Sequence, residues 1–306
     1  MQIKMNLGIL GVGSFGKKHI NVLKNIQGIK IIGFYDPDKK KSIEVEKKFK
    51  IKSFNSDVDL IKNCDAIDIV TNTRTHHHLI KLCIKHDKHI FVEKPICCTQ
   101  DEVDDLKHYK KSYKKIIQVG HIERYNPVSN IYKFENTNFV EINSNRTGTL
   151  SQRNKKNSII LDLMIHDIDF ILNIVKSDIE SVNSKKDNKK GDEYVESIIK
   201  FKNKKIAKII SERGEDKINY RLMKIIYKNK VIELDFLNRK LNLIESNKLK
   251  EIIETDDKIN PLECELTEFY NNVLKNRKPK VSLIDGCRAV EIALKIEKSL
   301  NNNILY

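Results

Sequence analysis

At 306 residues, 40% of them hydrophobic, the chain is long enough for two domains with cores of their own, and its composition is unlike that of disordered or fibrous proteins. The formal charge of +15 invites a nucleic-acid partner. Only 9 of the 57 basic residues are arginine, however, and the lysines are spread among acids, so no nucleic-acid binding is expected; a basic surface of this kind instead attracts anionic, phosphate-bearing substrates.

The first 120 residues alternate strand and helix patterns. Strands are expected over 7–12, 30–35, 66–71, 89–92 and 115–119, with helices over 15–25, 39–49, 57–62, 76–86 and 100–113. That alternation implies parallel strands joined by helical crossovers, a doubly wound sheet. After Gly120 the pattern changes to one strong helix over 158–175, then strands over 179–184, 194–201, 206–212, 222–227, 230–235 and 240–244. Helices over 264–275 and 285–300 close the chain, and the polar stretch 184–192 reads as a mobile loop. The class is α/β: an N-terminal doubly wound parallel sheet over 1–120, and a C-terminal α+β domain with a large, mostly antiparallel open sheet over 121–306. No apolar run approaches the ~20 residues of a membrane helix. The opening apolar stretch runs into a glycine motif without a cleavage site, and the six cysteines lack zinc spacing, so a cytoplasmic protein with free thiols is expected.

Gly11-Val12-Gly13-Ser14-Phe15-Gly16 closes the first strand and opens a helix. In that setting G-x-G-x-x-G reads as a dinucleotide-binding turn, with pyrophosphate at the helix N-terminus, which makes the first domain a Rossmann fold. Asp36 stands twenty residues after Gly16, at the end of the second strand, where a carboxylate accepts hydrogen bonds from the adenosine ribose and disfavours a 2′-phosphate; NAD is the expected cofactor. Thr71, Asn72, Thr73 and His76 follow the third strand, on the edge the cofactor passes. The run His76-His77-His78 looks metal-like, but successive residues at a helix start diverge, so capping and surface roles are expected and no metal.

Glu93-Lys94-Pro95 follows the fourth strand. A lysine at a strand's carboxyl end projects into the cofactor cleft, where it can exchange protons with a substrate hydroxyl. Asp162 and His166 are four apart on a helix, with Asp169 bordering the same face. As a bare pattern this suits either a satisfied polar network or a catalytic pair; a metal site lacks a third ligand.

Together the glycine motif, Asp36, Asp65-Ala66-Ile67-Asp68 with His76, Glu93-Lys94-Pro95 and Asp162…His166 resemble the Gfo/Idh/MocA oxidoreductase family, over nearly the whole chain. Asn72 departs from the proline frequent there. Gly120–Pro127, Met164–Asp169 and Val281–Gly286 are similar to the family's UDP-N-acetylglucosamine 3-dehydrogenase branch. The resemblance implies NAD-dependent oxidation of a sugar hydroxyl to a ketone, with Lys94, His166 and Asp162 catalytic. Gly11, Gly13, Ser14, Phe15, Gly16, Asp36, Thr71, Asn72, Thr73, His76, Glu93 and Lys94 would bind the cofactor. Arg124, Tyr125, Asn126 and His166 would contact a sugar-nucleotide substrate. Inositol- or UDP-glucuronate-type dehydrogenases and a non-catalytic sugar-nucleotide sensor are the alternatives. A homodimer or homotetramer, with no membrane partner, is expected.

Overall fold

The computed structural model describes residues 5–131, 138–151, 155, 157–187 and 193–302. In chain order the elements are β1 (Met5–Leu10), α1 (Ser14–Leu23), β2 (Ile29–Tyr35), α2 (Lys39–Phe49), α3 (Asp57–Lys62), β3 (Ala66–Ile69), α4 (Thr73–Lys85), β4 (His89–Glu93), α5 (Gln100–Ser112) and β5 (Ile117–Gly120). A short 3-10 turn (Ile122–Tyr125) leads to α6 (Val128–Ile131), β6 (Glu141–Thr149), a π-helical turn (Ile160–Met164) and α7 (Ile165–Val175). Then come β7 (Ile179–Asp187), β8 (Glu193–Phe201), β9 (Ile206–Gly214), β10 (Tyr220–Ile226), β11 (Lys230–Asp235), β12 (Lys240–Glu245), β13 (Lys248–Glu254), α8 (Pro261–Lys275) and α9 (Leu283–Asn302).

The chain divides into two units, one of residues 1–122 with 260–287, the other of 123–259 with 288–306. The first carries the five-stranded parallel sheet in the order β2-β1-β3-β4-β5. Strands β1, β3, β4 and β5 are buried on both faces, as parallel strands under crossover helices are, while the edge strand β2 is partly exposed. The sequence places a boundary at residue 120 with everything beyond it in a second domain; the first unit here runs to residue 122 and takes in 260–287 as well. Helix α8 belongs to the first unit, because Leu262, Leu266, Phe269 and Tyr270 make an i, i+4, i+7, i+8 stripe that enters the core around Phe34 and Phe91. Phe269 meets Phe91 edge-on at 5.8 Å between centroids. Asn260 caps α8 by accepting from Leu262 N at 3.1 Å, with Pro261 in its first turn. The following segment then adds to β5, where Val119 N donates to Val281 O at 3.1 Å.

The second unit holds an eight-stranded sheet in the order β13-β12-β11-β10-β6-β9-β8-β7, antiparallel except for the β6–β9 pair. The π-turn and α7 lie on β6 and β9, burying Ile165, Ile168, Ile171 and Ile174. The sequence pattern misses β6 and β13. The inward positions of β6 are Ile142, Ser144, Arg146 and Gly148, so its alternation is one of burial and not of hydrophobicity. Strand β13 is an exposed edge strand rich in Lys and Glu, as edges that avoid further pairing commonly are. Residues 184–187 of the expected loop continue β7; 188–192 lie outside the described residues.

Phe269→Ala is expected to lower unfolding free energy by about 3–5 kcal/mol, the usual cost of emptying a buried aromatic site, measured by urea denaturation. A change under ~1 kcal/mol would mean that α8 is not part of this core.

Candidate active site

The glycine turn is built by close approach. Gly11 has φ +92°, a conformation a side chain strains, and a Cβ on Gly16 would lie 2.2 Å from Gly11 O, so α1 can start this near the end of β1 only with glycine there. A Cβ on Gly13 would meet no atom within 4 Å, leaving open space beside the loop. Gly13 supplies no side chain to cap α1, so the amides of Ser14, Phe15 and Gly16 open a ten-residue helix with its positive end toward that space. Asp36 accepts from Val12 N at 2.9 Å and from Asp38 N at 2.9 Å, which fastens the end of β2 to the glycine loop. An open cradle, free amides and a carboxylate at the second strand's end suit a dinucleotide pyrophosphate and ribose.

Along the same carboxyl edge, Asn72 caps α4 by accepting from Arg74 N at 3.1 Å. The helix therefore starts at Thr73, not at His76, and asparagine does at this position what proline's fixed φ would do by restriction. His76 is neither a cap nor on the surface: it is buried, with Nδ1 2.8 Å from Pro95 O and Nε2 3.1 Å from Thr71 O. Burial holds its pKa below the usual histidine value despite those two carbonyls, so a neutral ring donates to one of them. His76 thus ties the loop after β3 to the loop after β4. His77 instead meets Asp105 at 2.7 Å, so the run diverges as expected. Glu93 is buried at the end of β4, and Lys94, half-buried, follows with a cis bond to Pro95.

In the second unit the expected pair Asp162 and His166 falls across a helix change. Asp162 lies in the π-turn, a wide turn that recurs at functional sites, and His166 lies in the first turn of α7. The Asp162 carboxylate accepts from Arg213 Nη1 at 3.1 Å; Arg213, fully buried, also donates to Glu193 at 2.7 Å and Asn157 O at 2.6 Å.

Of the four residues expected to contact substrate, Arg124, Tyr125 and Asn126 are buried. Arg124 forks onto Asp169, with Nε 2.6 Å from Oδ2 and Nη2 2.9 Å from Oδ1, and Asn126 donates to Glu123 Oε2 at 3.1 Å and to Phe236 O at 2.9 Å. Tyr125 is also buried. A guanidinium held bidentately by a buried carboxylate braces the elements that the two side chains join. Sequence reasoning missed the centre of this network. Arg146 of β6 forks onto Asp167 at 2.8 and 3.0 Å and reaches Glu123 at 3.1 Å, and Arg221 reaches the same Glu123 oxygen at 3.1 Å. Burial would raise the Glu123 pKa, but Arg146 and Arg221 outweigh it and hold the carboxyl below its usual range. Among the described residues no group of His, Cys, Asp or Glu could hold a metal ion, and no helix is long and apolar enough to cross a membrane.

Comparison with known proteins gives a match of residues 5–121 to the model of the Gfo/Idh/MocA oxidoreductase family, NAD-binding Rossmann fold. A UDP-N-acetylglucosamine 3-dehydrogenase of Acidithiobacillus ferrooxidans is 25% identical over 96% of each chain. A myo-inositol 2-dehydrogenase of Thermotoga maritima is 27% identical over 58% of this chain and 57% of its own. A solved structure of the Acidithiobacillus ferrooxidans protein superposes with a TM-score of 0.90 over 98% of this chain and 99% of that one, at 23% identity, a likeness of fold.

Arg146→Met would leave Asp167 buried without its partner, and is expected to cost about 3–5 kcal/mol at neutral pH. A folded-state pKa held below its unfolded value gives stability that is complete above about pH 4.3 and lost as the pH falls through the folded value. The variant should therefore lose less on acidification than the parent, in urea unfolding compared at neutral and acid pH. Equal losses would show that the network does not hold Glu123 ionised.

Proposed function

The chain belongs to the Gfo/Idh/MocA oxidoreductase family through its NAD-binding Rossmann domain, and from that premise we propose that it oxidises the 3-hydroxyl of UDP-N-acetylglucosamine to a ketone. The observation that carries the reading is the end-to-end match to a relative of that activity, 96% of both chains, where other relatives align over part of their length. The +15 charge supports an anionic, diphosphate-bearing substrate. The product ketone is what an aminotransferase takes toward the diamino sugars of lipid A.

The glycine loop, the first turn of α1 and Asp36 hold NAD, which when bound supplies the acceptor for the hydride. The chain manages the proton. Lys94 stands at the carboxyl end of β4, where open α/β sheets bind ligands, and takes the hydroxyl proton; as a cation, lysine also stabilises negative charge growing on that oxygen, and His166 is the second catalytic group that the family resemblance implies. Asp162, anchored by Arg213, orders the turn that leads to His166.

Incubation of the protein with NAD and a panel of UDP-N-acetylglucosamine, UDP-glucuronate and myo-inositol tests the reading, with NADH absorbance and mass spectrometry as readouts. A 3-keto UDP-sugar is expected. Oxidation of inositol alone would replace this reading with that of a cyclitol dehydrogenase, which the Thermotoga maritima relative favours. Lys94→Ala is expected to lower kcat by about 10²–10⁴-fold with the fold intact by circular dichroism. Assembly as a homodimer or homotetramer is part of the proposal, supported by exposed Ile198, Ile206, Leu249 and Ile252 on the sheet. Light scattering giving the mass of one chain would remove it.

A further inference from the structure

The first unit buries a second set of charges that neither the glycine loop nor the edge residues use. His19, on α1, is fully buried; its Nδ1 lies 2.9 Å from Asp68 Oδ2 of β3 and its Nε2 3.3 Å from Glu93 Oε1 of β4. Phe15 and Phe91 stand against the imidazole at 5.0 and 5.8 Å between centroids. From α8, Glu265 enters the same interior fully buried, and neither carboxyl oxygen has a hydrogen-bond partner among the described residues. Gly120 of β5 is the register partner of Glu93, and a Cβ there would lie 2.7 Å from Glu93 Oε1, so the carboxylate fills the room a side chain would take. Glu93 Oε2 in turn accepts the backbone N–H of Lys94 at 3.2 Å.

We propose that His19 and Glu265 are positioning residues for Glu93 and, through Glu93, for Lys94. Three acids and one imidazole share this interior, with Glu268 the further charged group acting on Glu265. Burial opposes a charge on His19, but Asp68 and Glu93 outweigh it and push its pKa up to about 10. Glu265 goes the other way: burial first, then the Glu93 carboxylate, with Glu268 and Asp68 adding and His19 opposing, keep its carboxyl protonated well above the usual range. At neutral pH the cluster is an imidazolium between Asp68 and Glu93, faced by a neutral acid. Remove the imidazolium, or ionise Glu265, and Glu93 is left beside an unbalanced buried negative charge. It must then turn toward solvent, which alters the acceptor of the Lys94 amide.

The inference rests on Lys94 serving the proposed reaction, so its test carries one readout that needs no turnover. In the full-length protein with NAD, His19→Asn is expected to lower kcat about 10- to 100-fold, the scale of a misplaced catalytic group, with the NAD dissociation constant within about 3-fold. Glu265→Gln keeps the neutral shape at every pH and is expected to move the alkaline limb of the kcat profile upward. Its melting temperature should gain on the parent as pH rises, because a group with a raised folded pKa loses stability above its unfolded value. His19→Asn is expected to shift the Lys94 backbone amide resonance in 15N-edited NMR, Glu265→Gln to shift it only at alkaline pH where the parent's Glu265 ionises, and the parent's His19 ring should be doubly protonated at pH 8. A neutral His19 ring at that pH, or a Lys94 amide unmoved in both variants, overturns the proposal. Absence of turnover by the parent with every sugar overturns the functional reading instead, and leaves the NMR comparison to decide this one.

Discussion

A charge taken out of water has to be met at contact distance, and in the first unit the contact of His19 with Asp68 and Glu93 fixes how three elements stand together. His19 lies three residues after Gly16, Asp68 three before Thr71, and Glu93 immediately before Lys94. The glycine turn, the loop after β3 and the lysine corner thus all hang within one helical turn of the same buried ion cluster. His76 adds a second tie between the latter two loops through the carbonyls of Thr71 and Pro95. A dinucleotide-binding edge must present amides, hydroxyls and a lysine at fixed spacing, and here the interior behind the edge does the fixing.

The second unit follows the same rule with guanidinium groups. Arg124, Arg146 and Arg213 are buried, and each is held by a carboxylate on the π-turn and α7 segment: Asp169, Asp167 and Asp162. His166 sits among these acids. The segment that carries it is pinned at three points, by guanidinium forks at Asp169 and Asp167 and by a single bond at Asp162. A strand as central as β6 can afford a polar inner face because Arg146 finds two acids there.

The parts of the fold that sequence reveals are those where periodicity and burial agree. The β1–α1–β2 start, the glycine turn and the strand ends at Asp36 and Glu93 all follow from apolar runs punctuated by glycine, acid or proline. Strand β6 escapes because Ser144 and Arg146 point inward, so the alternation that defines a half-buried strand is carried by polar side chains. The apolar stripe of α8 is plain in sequence, but a stripe announces that a helix is buried, not which core receives it. His19 and Glu265 leave a fainter trace: each is a charged type on the inward face of an amphipathic helix, Glu265 between Leu262 and Phe269 at helical spacing. Arg124 shows the converse, since a guanidinium suited to phosphate looks the same in sequence as one suited to a buried aspartate.

The route by which α8 reaches its place has a consequence for biosynthesis. The nucleotide-binding module is interrupted: more than a hundred residues of another module are threaded between β5 and the helix that covers Phe91. A nascent chain emerging from the ribosome can pair the five parallel strands early, but the place on Phe91 that α8 will cover stays open until the residues of α8 have been made. Vectorial, module-by-module folding is therefore closed to this protein. The long sequence separation of that closing contact makes it a slow, late event, and the half-made intermediate, with that oily place exposed, is the species for which chaperones and proteases would compete.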